Sequence, residues 1–157
     1  INGACTDSAD CKIHSGFNNY YLSVRDRVRE STLKLVKKYK LDRPKLLVTG
    51  ISLGAAIAAI ASYDLTVYLK YSGVNIEILP YTFGQPRIGN RQFIDHIDDQ
   101  IRIVRLVNQA DPVPHLPPRR ADFTFIFDTL APKMLLTGNI SSLLNYLYIE
   151  DYYNPGI

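Results

Sequence analysis

Tryptophan is absent and methionine occurs once, so 11 tyrosines and 6 phenylalanines supply all the aromatic surface of this 157-residue chain. No sign of charge dominates. Lys and Arg number 18 against 15 Asp and Glu, a net charge of +3. That excess is too mild and too scattered to serve a nucleic-acid backbone. No run of 18 apolar residues occurs, which argues against a transmembrane segment. No Cys, His, Asp and Glu cluster has metal-ligand spacing, and no cofactor is implied. The only cysteines are Cys5 and Cys11, with a short polar loop between them. A disulfide closing that loop is geometrically reasonable and would imply an oxidising compartment. Two free thiols of a cytosolic protein are the other reading. The chain opens on Ile1 with neither an initiator Met nor a signal peptide, as a processed or partial product would. Repeats, low-complexity stretches and linkers are also missing, so residues 1–157 are expected to form a single domain.

What is present alternates between two periods. Lys12 and Ile13 resemble the end of a short strand. From Asn18 to Lys40, apolar residues at Tyr21, Val24, Val28, Leu35 and Tyr39 predict an amphipathic helix with a charged outer face, stopped by Pro44. Lys45–Thr49 is a strand-length apolar run. Ser52–Leu69 is helical and rich in Ala, with Gly73 ending it. A strand over Ile76–Phe83, a helix over Arg91–Asp99 and a strand over Ile101–Val107 follow. This order predicts βαβ units and an α/β fold with a mostly parallel sheet flanked by helices. After Pro118 the pattern weakens. Phe123–Phe127 and Met134–Leu136 read as short strands and Ser141–Tyr148 as a helix.

Gly50-Ile51-Ser52-Leu53-Gly54 is G-x-S-x-G, between an apolar strand and a helix. As a bare pattern it occurs by chance in glycine-containing turns. In this context it predicts a sharp strand-to-helix elbow with a strained Ser at its apex. Gly50 and Gly54 would let strand and helix approach closely. Ser52 Oγ would project above the sheet as a nucleophile. The backbone N–H of Leu53, at the helix N-terminus, would face a developing oxyanion.

Four segments together resemble the fungal-type triacylglycerol lipases, the class 3 lipase family. His14-Ser15-Gly16-Phe17 is similar to the family's H-x-G-F. Thr49–Ala56 is similar to T-G-H-S-L-G-G-A, with Ile51 in place of the His and Ala55 in place of the second Gly. Tyr81–Asn90 is similar to T-F-G-x-P-R-V-G-N, and Asn108–Pro118 to D-P-V-P-x-L-P-P. The match covers residues 11–118 in the family's order. It implies an α/β-hydrolase fold, secretion, and with secretion the Cys5–Cys11 disulfide. The partner it implies is a lipid or other ester substrate at a lipid–water interface.

A serine hydroxyl needs a base, and a His base needs an orienting carboxylate. Asp111 lies just past the strand Ile101–Val107, in a loop stiffened by Pro112 and Pro114, and the order Ser then Asp suits this fold. The resemblance assigns it the acid role; the bland reading is a loop-capping Asp. Asp128 is a poor rival. No histidine fits the base. His14 matches a structural position, His96 sits on a polar helix and reads as solvated, and His115 is near the acid but far upstream of the family's base. In the family's D-H-L-x-Y-F-like segment, one register places Tyr146 at the His and another Ile149. The base follows Ile157, has been lost, or lies on a stretch this sequence omits. The family's upstream R-G-T-like oxyanion donor, its lid and its first strands are also not found, so the N-terminal part of the domain is expected to be missing. Three readings remain open: a serine carboxylic ester hydrolase acting on acylglycerols, a catalytically impaired lipase-like binding protein, or a feruloyl or acyl esterase of wider specificity on the same fold.

Overall fold

The computed structural model describes residues 11–39 and 44–117. Its elements are α1 (Ser15–Tyr39), β1 (Lys45–Ile51), α2 (Leu53–Tyr71), β2 (Glu77–Phe83), α3 (Arg91–Asp98), β3 (Val104–Leu106) and a 3-10 turn at Val113–His115. Each strand returns to the next through a helix, a connection that makes neighbouring strands parallel. The sheet order is β1-β2-β3, all parallel, with Ile51 opposite Phe83 and Phe83 opposite Leu106. Helix α2 packs on one face of this sheet and α1 packs on α2.

Alanine makes this layering possible. Ala55, Ala56, Ala58, Ala59 and Ala61 are all buried, so the backbone of α2 sits close to its neighbours. Eleven of its 19 residues are buried. By length and composition α2 also qualifies as membrane-spanning. Its burial instead marks it as the core helix of a folded domain. Phe17, Tyr21, Ile60, Tyr63, Phe93 and Ile97 form the centre of the core. On the opposite face of the sheet, Leu47, Ile51, Tyr81, Phe83, Val104 and Leu106 are exposed, and the strand register sets them side by side.

Helix α1 departs from its sequence periodicity at both ends. It begins at Ser15, because His14 caps it: Nδ1 accepts from the Phe17 N–H at 3.3 Å, and the ring stacks on Phe17 at 4.0 Å. Burial depresses the pKa of His14, which suits a ring nitrogen that accepts. Beyond Tyr21 no residue of α1 is buried, and Val24, Leu35 and Tyr39 are exposed. Arg29 reaches α2 there instead, which turns the contact line away from those three. Its Nε and Nη2 donate to Asp64 at 2.8 and 2.5 Å, and Tyr21 Oη donates to the same carboxylate at 2.7 Å.

Burial first, and then the Asp64 carboxylate, push the Tyr21 hydroxyl far above its ordinary value. The fold therefore holds the neutral phenol. Its contribution is complete below the unfolded value of about 10 and is lost as pH rises above it. Urea midpoints should fall more steeply between about pH 10 and 11.5 for the parent chain than for Tyr21→Phe. Parallel declines would show that Tyr21 carries no such linkage.

Two expectations are corrected by hydrogen bonding. The strand predicted over Ile101–Val107 pairs only at Val104–Leu106. At its start the Ile101 N–H is taken by Ile97 O at 2.9 Å, continuing the turn of α3. Lys12 and Ile13 form a single antiparallel bridge, Ile13 to Gly89, rather than a strand end. The predictions at Phe123–Phe127, Met134–Leu136 and Ser141–Tyr148, and at Asp128, Tyr146 and Ile149, lie outside the described residues, as does Cys5. Cys11 is not a free thiol.

Candidate active site

The last residue of β1, Ile51, passes directly to the first residue of α2, Leu53, and the connection is Ser52 alone. Its φ of 54° and ψ of −123° make it the only non-glycine residue with positive φ among those described. Such a conformation costs about 1–3 kcal/mol and persists only where the surroundings impose it. Here the Ser52 N–H is tied to Phe83 O at 2.9 Å, and Ser52 O accepts from Ala55 N–H at 3.0 Å. Gly50 makes the bend possible, since a Cβ there would strike the carbonyl of Gly54. Gly54 plays no such part: a Cβ on it meets nothing within 4 Å, which corrects the expectation that both glycines permit the close approach.

Ser52 is exposed at the C-terminal end of the parallel strands, where open α/β sheets place their ligand sites. It lines a cleft of about 490 Å³ together with Ile51, Phe83, Gly84, Leu106, Val107, Asn108, Asp111 and Val113. Ser52 and Asp111, separated by 59 positions in the chain, thus share one cavity. Leu53 opens α2, so its N–H has no carbonyl in a preceding turn and stays available beside the serine. Asp111 is ordered by its own loop: its N–H donates to Asn108 O at 3.0 Å, and its Oδ1 accepts from Val113 N–H at 2.9 Å.

All three histidines of the chain are described, and none lines this cleft. His14 is the helix cap. His96 is not solvated as its polar helix predicted: it is half-buried, with Nε2 2.8 Å from Oη of Tyr63 on α2. His115 sits in the 3-10 turn beyond Asp111, with its N–H donating to Pro112 O at 3.1 Å.

The family model for lipase (class 3) matches residues 2–121. The chain belongs to the class 3 lipases. A secreted mono- and diacylglycerol lipase of Malassezia restricta is 38% identical over 114 residues, 71% of this chain and 36% of the relative. A lipase of Rhizomucor miehei is 37% identical over 114 residues, 71% of this chain and 30% of the relative. One solved triacylglycerol lipase, its catalytic centre described as a serine protease triad, superposes with TM-score 0.63 at 36% identity, covering 72% of this chain and 42% of the other. The lipase of Rhizopus microsporus var. chinensis superposes with TM-score 0.62 at 33% identity, over 71% of this chain and 38% of that one. The fold is that of an α/β-hydrolase, and the chain spans about a third of the length of the curated relatives it matches.

The segments that resemble the lipase pattern acquire distinct physical tasks here. Asn90 caps α3, its Oδ1 accepting from Phe93 N–H at 3.1 Å and from Lys12 N–H at 2.9 Å. Ile51, where the lipase pattern carries His, is 73% exposed at the mouth of the cleft. It extends the apolar lining rather than adding a polar group beside the serine. The buried Tyr21–Asp64–Arg29 cluster was not read from the sequence. An Asp inside an Ala-rich helix was its only signal.

Proposed function

We propose that this class 3 lipase chain carries the nucleophile, oxyanion donor and acid of a secreted carboxylic ester hydrolase acting on acylglycerols. The strained Ser52 at the mouth of a cleft shared with Asp111 is the observation that carries the reading. Ser52 Oγ attacks the acyl carbonyl. The Leu53 N–H stabilises the tetrahedral oxyanion. An imidazole base oriented by Asp111 takes the Ser52 proton and returns it to the alcohol as the ester C–O bond breaks. Water, deprotonated by the same base, then cleaves the acyl-enzyme and releases the carboxylic acid. Ile51, Phe83, Leu106, Val107 and Val113 give the acyl chain an apolar lining. The name of the Malassezia relative, a secreted mono- and diacylglycerol lipase, supports secretion and mono- or diacylglycerol substrates. Being poorly soluble, such substrates would be met at a lipid–water interface. Secretion in turn accords with a Cys5–Cys11 disulfide, and residues 1–157 are read as a single domain.

A second reading, an impaired lipase-like binding protein, is favoured by one observation: no histidine of this chain lines the cleft. Added imidazole separates the two. The 157-residue chain by itself should hydrolyse p-nitrophenyl butyrate slowly, because losing a triad member leaves only about 10³–10⁴-fold over water. Free imidazole should raise that rate in a saturable manner. In Ser52→Ala only the linear background reaction of imidazole with the ester should remain. An identical imidazole response in the two proteins would sink the hydrolase reading and leave the binding protein.

A further inference from the structure

The turn leaving β2 runs Gly84-Gln85-Pro86-Arg87, and both of its ends are tied to the stretch that carries Asp111. At the near end the Gly84 N–H donates to Leu106 O at 2.9 Å. At the far end the Arg87 N–H donates to Leu116 O at 2.6 Å, and Arg87 Nη1 donates to Pro117 O at 2.8 Å. Between them Arg105 Nη2, from β3, donates to Gln85 O at 3.0 Å. The acid loop is therefore clamped before and after Asp111 by one turn.

The contact at Gly84 is the tightest part. A Cβ built there would lie 2.5 Å from Asp111 Oδ2 and 3.6 Å from its Cγ. Asp111 Oδ1 is held by Val113 N–H, so turning the carboxylate away from such a Cβ strains that bond. Gly84 also has φ of +57°, a region that glycine occupies without strain. Two separate demands, backbone conformation and empty space, meet at this residue.

We propose that the Gly84–Arg87 turn is the seat that fixes the Asp111 carboxylate, with Gly84 and Arg87 as positioning residues for the acid. Its catalytic consequence rests on the ester-hydrolase reading; its geometric content does not. Any side chain at 84 rotates the carboxylate out of place. Loss of the Arg87 guanidinium frees the far end of the loop.

Gly73 supplies the control. It too has positive φ, +70°, but a Cβ on it meets nothing within 4 Å. Gly73→Ala therefore reports backbone strain alone, and Gly84→Ala reports strain plus the collision with Asp111. The melting temperature should fall by about 2–4 °C in Gly73→Ala and by roughly twice that in Gly84→Ala. In an Asp111→Ala background the excess should vanish, because the colliding oxygen is gone. Equal falls for the two glycine variants, or an excess that survives Asp111→Ala, overturn the proposal. Should Gly84→Ala be insoluble, recovery of soluble protein on adding Asp111→Ala supports it, and no recovery counts against it.

The second readout is the imidazole-supported hydrolysis of p-nitrophenyl butyrate. Gly84→Ala and Arg87→Met should each lower its maximal rate about tenfold with KM for the ester little changed, as expected for a displaced orienting group. Adding Asp111→Ala to either should cause no loss beyond that of Asp111→Ala alone. Full multiplicative losses would show that neither residue acts through the acid. If the parent chain shows no Ser52-dependent rate, the hydrolase reading fails, and the melting comparison still decides the seat.

Discussion

Alanine in place of Asp64 is expected to remove about 3–5 kcal/mol of stability, the loss seen when one partner of a buried ion pair is deleted. Asp64 is 2% exposed and accepts three hydrogen bonds, one from Tyr21 and two from Arg29. Removing it leaves a buried phenol hydroxyl and a half-buried guanidinium without their acceptor at the seam of α1 and α2. Domain stabilities are typically about 5–15 kcal/mol, so the variant would stand close to unfolding. Urea titration followed by far-UV circular dichroism measures this directly. Replacing all three residues together, as Tyr21→Phe, Arg29→Met and Asp64→Leu, should lose much less, since no polar group is then stranded. If the triple variant loses as much as Asp64→Ala, the cluster is contributing net attraction and the desolvation argument is wrong.

Gly50→Ala should be comparably severe. Its Cβ would meet the carbonyl of Gly54 and lie 2.8 Å from Ala55 N, all backbone atoms in the first turn of α2. No rotamer relieves that contact; strand and helix must part. Overpacking usually costs about 1–3 kcal/mol and occasionally more, and a collision with rigid backbone belongs at the upper end. The elbow would move with the helix, so Ser52 should also lose its imidazole-supported reactivity. Gly54→Ala, four positions on, should be neutral or stabilise by up to about 1 kcal/mol, because it meets open space inside a helix. Thermal melts of the two variants side by side test this. A benign Gly50→Ala would mean that the strand and helix are not in contact at the elbow.

That contrast shows how much of the site was legible in the sequence. The strand-then-helix context of G-x-S-x-G was enough to place Ser52, because local backbone geometry alone decides a one-residue elbow. The place of Asp111 in the same cleft was legible in part, from its position just past a strand in a Pro-stiffened loop, whereas its role as the acid rests on the family resemblance. The two glycines of the motif could not be told apart, because what a Cβ would touch depends on packing. The half-buried setting of His96 was hidden for the same reason: its helix reads as polar, and only the approach of Tyr63 reveals the contact. Periodicity over-predicted the buried face of α1, where Arg29 rather than Val24 or Leu35 meets α2. It also over-extended β3, where Ile101 keeps its amide bond to the preceding helix.

The row of exposed apolar side chains on the sheet face away from α2 has a thermodynamic consequence. Leu47, Ile51, Tyr81, Phe83, Val104 and Leu106 already meet water in the folded state. Unfolding therefore uncovers less new apolar surface than in a parallel sheet covered on both sides. Since apolar hydration dominates the heat-capacity increment, this chain should fall below the usual ~12–15 cal/mol/K per residue. Its stability would then vary little with temperature, tracing a broad, shallow dome in which cooling and warming matter less than they do for a domain with both faces sealed.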